Sequence, residues 1–160
     1  MKERGDKGLA HRGDSSSASA PVASSPAVRR RMRATLQRDT PAELAVRSAL
    51  HRLGLRFRVD RPIKGVPRVR PDIVFVTERI AIFVDGCFWH RCPQHGTIPK
   101  ANREWWLRKL NANVERDRRH DAALKRAGWR VIRVWEHEPP SSVARRIFHI
   151  VRNRRTSRRR

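Results

Sequence analysis

No uninterrupted apolar run in this 160-residue chain approaches the roughly 20 residues needed to cross a bilayer. The opening stretch MKERGDKGLAHRGDSSSASA also lacks the apolar segment of a secretory signal, so the expectation is a soluble, cytoplasmic protein. Cysteine is scarce: there are two, Cys87 and Cys92, five residues apart among histidines. That usage argues against a disulfide framework and for thiols that meet a metal in a reducing compartment. Acidic residues are few as well, 15 against 38 lysines and arginines, for a net charge of +23. The length leaves room for one domain with tails.

Residues 1–30 carry 6 basic and 3 acidic groups, residues 141–160 carry 8 and none, and the middle keeps 24 against 12. The globular part is therefore basic in its own right. This is the footprint of a polyanion binder, and nucleic acid is the commonest such partner. The excess of arginine also fits a compositional bias, and charge runs often simply face solvent.

Residues 1–28 are rich in Ser, Ala, Gly and Pro without periodicity, which predicts a disordered tail ahead of one domain over 29–153 and a basic tail over 154–160. TPAELAVRSALHRLG predicts a helix with Thr40 as N-cap, Pro41 at its first position and Glu43 completing a capping box. Val46, Leu50 and Leu53 would share its apolar face, and Gly54 would stop it. FRV at 57–59 reads as a short strand, and DIVFV and IAIFV as a buried hairpin. NREWWLRKLNANVERDRRHDAALKRAG is a long helical stretch with a potential break at Asn111 to Asn113 and an end at Gly128. WRVIRVW is the next strand, Pro139-Pro140 breaks it, and SSVARRIFHIVRN is a last amphipathic helix. The order is that of an α/β (α+β) domain whose mixed sheet is covered by helices.

A hairpin turn centred on Glu78 pairs Asp72 with Val84 and brings Asp85 alongside. Two carboxylates and a carbonyl at one strand end are hard oxygen ligands suited to magnesium, with Asp72 the foremost. Both aspartates also fit plain polar strand ends, with Asp85-Gly86 as a turn. Their convergence beside His90 favours chemistry, because an imidazole takes a proton from water at neutral pH.

Cys87, His90, Cys92, His95 and His137 supply five soft ligands where a tetrahedral zinc needs four. The set Cys87, Cys92, His95 and His137 would staple the loop to the strand VIRVW and leave His90 free for the hairpin edge. Such a closed site is structural, so hydrolysis would belong to another metal. The spacing matches no common finger pattern, and coincidence is the rival account. Phe88 and Trp89 fit either packing against Trp105 or Trp106 or, on a basic protein, a wedge that unstacks base pairs.

Taken together, MRATLQRDTPAE, RPDIVF, IFVDGCFWHRCPQHG, REWWLRKLNANVERDRRH and GWRVIRVWEHE resemble the very short patch repair (Vsr) DNA mismatch endonucleases over about Met32 to Glu138. The resemblance implies a restriction-endonuclease-like fold and magnesium-dependent nicking beside the thymine of T·G mismatches left by deamination of 5-methylcytosine. A single-strand nick needs only a monomer, and the expected setting is the nucleoid, with a functional link to a cytosine-5 DNA methyltransferase. By position it makes Asp72 and the Val84 main-chain carbonyl the magnesium ligands, His90 the base and Glu43 a further active-site member. Cys87, Cys92, His95 and His137 become the zinc ligands. Phe88, Trp89 and Trp106 become intercalating side chains, with Met32 entering from the other groove. Asp85 stands where the family pattern has a histidine, which leaves its role open between acid, base and extra ligand. The rival functions are a restriction or defence nuclease without mismatch choice and a zinc-stapled DNA-binding module without catalysis.

Overall fold

Thr40 starts the first helix as its chemistry predicts. In the computed structural model, which describes residues 38–157, helix α1 (Pro41–Arg52) opens with the Thr40 hydroxyl accepting the Glu43 amide and closes before Gly54 at φ 73°. The capping box takes an altered form: the Glu43 carboxylate accepts the Thr40 hydroxyl and the Asp39 amide. Val46 and Leu50 face the core, but Leu53 is the C-cap, where the chain leaves the helix axis, and is 38% exposed.

Strands β1 (Arg58–Val59), β2 (Ile73–Phe75) and β3 (Ile80–Asp85) follow, then helix α2 (Arg103–Arg126), strand β4 (Arg130–Trp135) and helix α3 (Pro140–Ser157). The sheet runs β1-β2-β3-β4, antiparallel except for the parallel β3–β4 pair that α2 connects. This is the expected mixed sheet flanked by three helices.

Period-two alternation sorts the strand residues between two cores. Ile73, Phe75, Ile80, Ile82 and Val134 pack under α1 and α3, against Leu50 and Ile147. Val74, Ala81, Phe83 and Val131 pack on the other face, with Leu124 of α2 and the loop residues Ile63, Val66 and Val69. Asp85 and Arg133 continue the rows that face α2, so polar groups at the strand ends are carried into the space beneath that helix.

Three details differ from the sequence reading. The β2–β3 ladder pairs Ile73 with Ile82 and Phe75 with Ile80, one residue away from the register that places Asp72 opposite Val84; the turn spans Val76 to Arg79, with Arg79 at φ 51°. Helix α2 is continuous through Asn111–Asn113, because Asn113 is buried and donates its Nδ2 to the Trp89 carbonyl at 3.2 Å. Helix α3 runs on to Ser157. Arg154 and Arg155 are therefore helical, donating to the Glu78 carbonyl at 2.7 Å and to its carboxylate at 2.5 Å. The predicted tail over 1–28, Met32 and residues 158–160 lie outside the described residues. No helix among the described residues is long and apolar enough to cross a membrane.

Candidate active site

The ends of β2 and β3, the loop after β3 and the middle of α2 enclose a cleft of about 650 Å³. Glu43, Asp72, Asp85, His90, Asp117 and Arg133 all line it. The off-by-one register does not separate Asp72 from Val84: the Asp72 side chain reaches across and accepts the Val84 amide at Oδ2, 2.7 Å away. Among the described residues its Oδ1 accepts no hydrogen bond. Burial, opposed by that amide and aided by the charges of Glu43 and Asp85, pushes the Asp72 carboxyl up to about 6. The Glu43 and Asp85 charges that crowd this half-buried carboxylate are themselves paired with Arg47 and Arg133, which leaves Asp72 as an oxygen donor of the kind that fits a hard divalent ion.

His90 sits in a tight turn, its amide donating to the Gly86 carbonyl at 3.1 Å. Its Nδ1 lies 2.5 Å from Asp117 Oδ2 and 3.7 Å from Asp85 Oδ1. Burial works to raise Asp117, but the bond to His90, with the charges of His90 and Arg133, overcomes it and holds the carboxyl below its ordinary value. Asp85 shifts the other way, because burial outweighs Arg133 and His90. Glu43 is more constrained than its motif suggests: it is 3% exposed and bound by Arg47 at 2.7 Å as well as by the Thr40 hydroxyl and the Asp39 amide.

Beside the cleft, one ligand atom from each of Cys87, Cys92, His95 and His137 lies within 4.8 Å of the others. The His137 Nδ1 atom is 3.1 Å from Cys87 Sγ and 3.8 Å from Cys92 Sγ, and His95 Nδ1 is 4.0 Å from Cys92 Sγ. Bond lengths of about 2.3 Å to sulfur and about 2.0 Å to nitrogen put tetrahedral ligands roughly 3.3–3.8 Å apart, so these four side chains fit one zinc ion. Burial and the neighbouring Cys92 push the Cys87 thiol up to about 11, a crowding that a bound cation relieves. His90 lies outside the cluster and faces the aspartates.

Phe88, Trp89 and Trp106 form one half-buried cluster, of which Trp89 lines the cleft, with Phe88 edge-on to both indoles at 5.0 and 5.2 Å between centroids. Trp105 adds to it from α2, 4.8 Å from Trp106.

A family model described as "DNA mismatch endonuclease Vsr" matches residues 24–94. The type II nicking enzyme V.NaeI of Lentzea aerocolonigenes is 52% identical over 112 residues, which cover 68% of this chain and 67% of that protein. The type II nicking enzyme V.XorIIP of Xanthomonas oryzae pv. oryzae is 46% identical over 109 residues, covering 67% and 77%. The DNA mismatch endonuclease Vsr of Escherichia coli K12 is 45% identical over 107 residues, covering 66% of each. The chain belongs to the Vsr family.

This Vsr-family protein is a DNA endonuclease. The model match ends at residue 94, so it includes Asp72, His90 and both cysteines, whereas His95, Asp117, Arg133 and His137 come from later in the chain. Among the residues the sequence reading missed are Asp117 and Arg133, which line the cleft, and Asp121, which binds Arg133. Asp117 and Asp121 lie one helical turn apart in ERDRRHD, a spacing that already put them on one face. Arg133 is a cation within the apolar run that follows Arg130, and alternation alone would have aimed it under α2.

Proposed function

We propose that this Vsr-family endonuclease nicks one strand of duplex DNA at T·G mismatches arising from deamination of 5-methylcytosine, with magnesium at Asp72 and the Val84 carbonyl and a structural zinc on Cys87, Cys92, His95 and His137. One observation supports it most: Asp72 and His90, distant in sequence, share a cleft, with the imidazole backed by a carboxylate and outside the thiol cluster. Bound at Asp72, magnesium supplies polarisation of the scissile phosphate and stabilisation of the leaving oxygen. Asp72 contributes the acidic oxygen, on a strand end fixed by the Val84 amide. With Nδ1 on Asp117, His90 keeps Nε2 to take a proton from the attacking water. Glu43, at the N-terminus of α1, adds negative charge to the same wall of the cleft.

Phe88, Trp89 and Trp106 form the wedge. A wobble pair resists unstacking less than a matched pair, and since opening a step costs about a few kcal/mol, part of that difference is enough to discriminate. The basic surface grips phosphates without reading sequence. Such mismatches arise where a cytosine-5 methyltransferase has acted, which is the functional link we propose for this enzyme.

Nicking of a strand-labelled T·G duplex by wild type and Asp72→Ala tests the reading. Magnesium-dependent cuts in the thymine strand, lost in the variant while DNA binding persists, support it. Equal cutting of a matched duplex would remove mismatch choice and leave a general nicking nuclease. Equal cutting by both proteins would remove the proposed site.

A further inference from the structure

Asp85 has the position of a metal ligand and the partners of an anchor. It lies one residue beyond Val84, is 4% exposed, and both its oxygens accept Arg133 Nη1, at 2.7 and 2.9 Å. The same guanidinium donates Nε to both Asp121 oxygens at 3.1 and 3.2 Å and Nη2 to Asp121 Oδ1 at 3.0 Å. Parallel pairing puts Arg133 opposite Phe83, and the guanidinium lies over that ring, 4.6 Å from its centroid. Its Nη2 also stands 3.7 Å from Asp117 Oδ1, on the carboxylate that holds His90. A planar fork held by two carboxylates and a ring face has one orientation, which the point charge of a lysine does not reproduce.

We infer that Asp85 serves to hold Arg133 rather than to ligate metal or move a proton, and that Arg133 is a positioning residue that keeps Asp85 off the divalent ion at Asp72 and braces Asp117 behind His90. The inference rests on the proposed magnesium site at Asp72. Its physical basis is charge. Asp72, Asp85 and Asp117 line this cleft, and Arg133 touches the last two together with Asp121 of α2. Without Arg133 the buried Asp85 carboxylate keeps only the His90 imidazole, 3.7 Å away, and a divalent cation at Asp72 offers it a full counter-charge.

The test uses the full chain with its zinc retained and Mn²⁺ as the probe, free ion being read by electron paramagnetic resonance. Asp85→Asn keeps a hydrogen-bond acceptor for Arg133 but offers no carboxylate, and its Mn²⁺ affinity is expected to stay within about twofold of wild type. Arg133→Leu is expected to bind Mn²⁺ about tenfold more tightly, because Asp85 joins the ion, and to lose about a hundredfold in kcat with DNA affinity held within about threefold. Arg133→Lys should restore less than about a tenth of that kcat. Tenfold or greater loss of Mn²⁺ affinity in Asp85→Asn identifies Asp85 as a ligand and overturns the inference, even if Arg133→Leu does not fold. Unchanged Mn²⁺ affinity and kcat in a folded Arg133→Leu overturn it equally. Asp72→Ala is the separate control: if it binds Mn²⁺ as wild type does, the magnesium reading itself fails.

Discussion

His90 Nδ1 stands 2.5 Å from Asp117 Oδ2, linking the loop after β3 to the middle of helix α2. Because Asp117 stays ionised, it accepts a hydrogen bond from the Nδ1–H and fixes the tautomer in which Nε2 is free. Asp117→Asn offers an amide that also stabilises the opposite tautomer. Steady-state nicking should show kcat lowered about a hundredfold with KM within about threefold. Wild-type kcat in that variant would release His90 from dependence on Asp117.

The Asp72 carboxyl, pushed up to about 6 chiefly by burial, makes stability depend on pH. Its folded value lies above the unfolded one, so its contribution to the fold is complete below about pH 4 and is lost as pH rises through about 6. In zinc-replete protein without magnesium, Asp72→Asn should be on the order of 1–2 kcal/mol more stable than wild type at pH 8 and equal to it at pH 4, measured by urea unfolding. Saturating magnesium should reverse the ranking at pH 8, since only the wild type gains from binding.

Zinc content separates the thiol cluster from the imidazole beside it. Elemental analysis should find one equivalent of zinc in wild type and none in Cys92→Ser, which should unfold several kcal/mol more easily, roughly the scale of structural zinc sites. His90→Ala should keep the zinc and the melting temperature while losing nicking. Zinc loss in His90→Ala would move that residue into the cluster and away from water activation.

The aromatic wedge makes a separable prediction. Trp106→Ala removes an edge-on partner of Phe88 and leaves Asp72, His90 and Asp117 in place. The ratio of T·G to matched nicking should fall about tenfold, equivalent to roughly 1.4 kcal/mol of discrimination, with zinc content unchanged. A ratio equal to wild type would return Trp106 to a packing role.

Local chemistry carried much of the fold. The Thr40 cap, the Gly54 and Gly128 stops and the β-branched runs of the hairpin depend on near neighbours, and each element formed where its residues pointed. The unbroken α2 shows where local reasoning fell short. Asn113 is a poor helix residue judged alone, but a buried partner at the Trp89 carbonyl, 24 positions away, satisfies its side chain. The hairpin register failed for a related reason: a four-residue turn and a one-residue-shifted ladder cost nothing visible in the sequence, yet they move every cross-strand pair.

The sequence by itself determined the strand and helix order and the adjacency of the two hairpin strands next to Asp72 and Val84. Those follow from residue type and short spacing. Only the tertiary structure decided what each charge meets: His90 on Asp117, Asp85 in the fork of Arg133, and Glu43 under Arg47. An ion pair depends on distance and burial in three dimensions, and neither quantity exists until the sheet and α2 close over the same few ångströms of space.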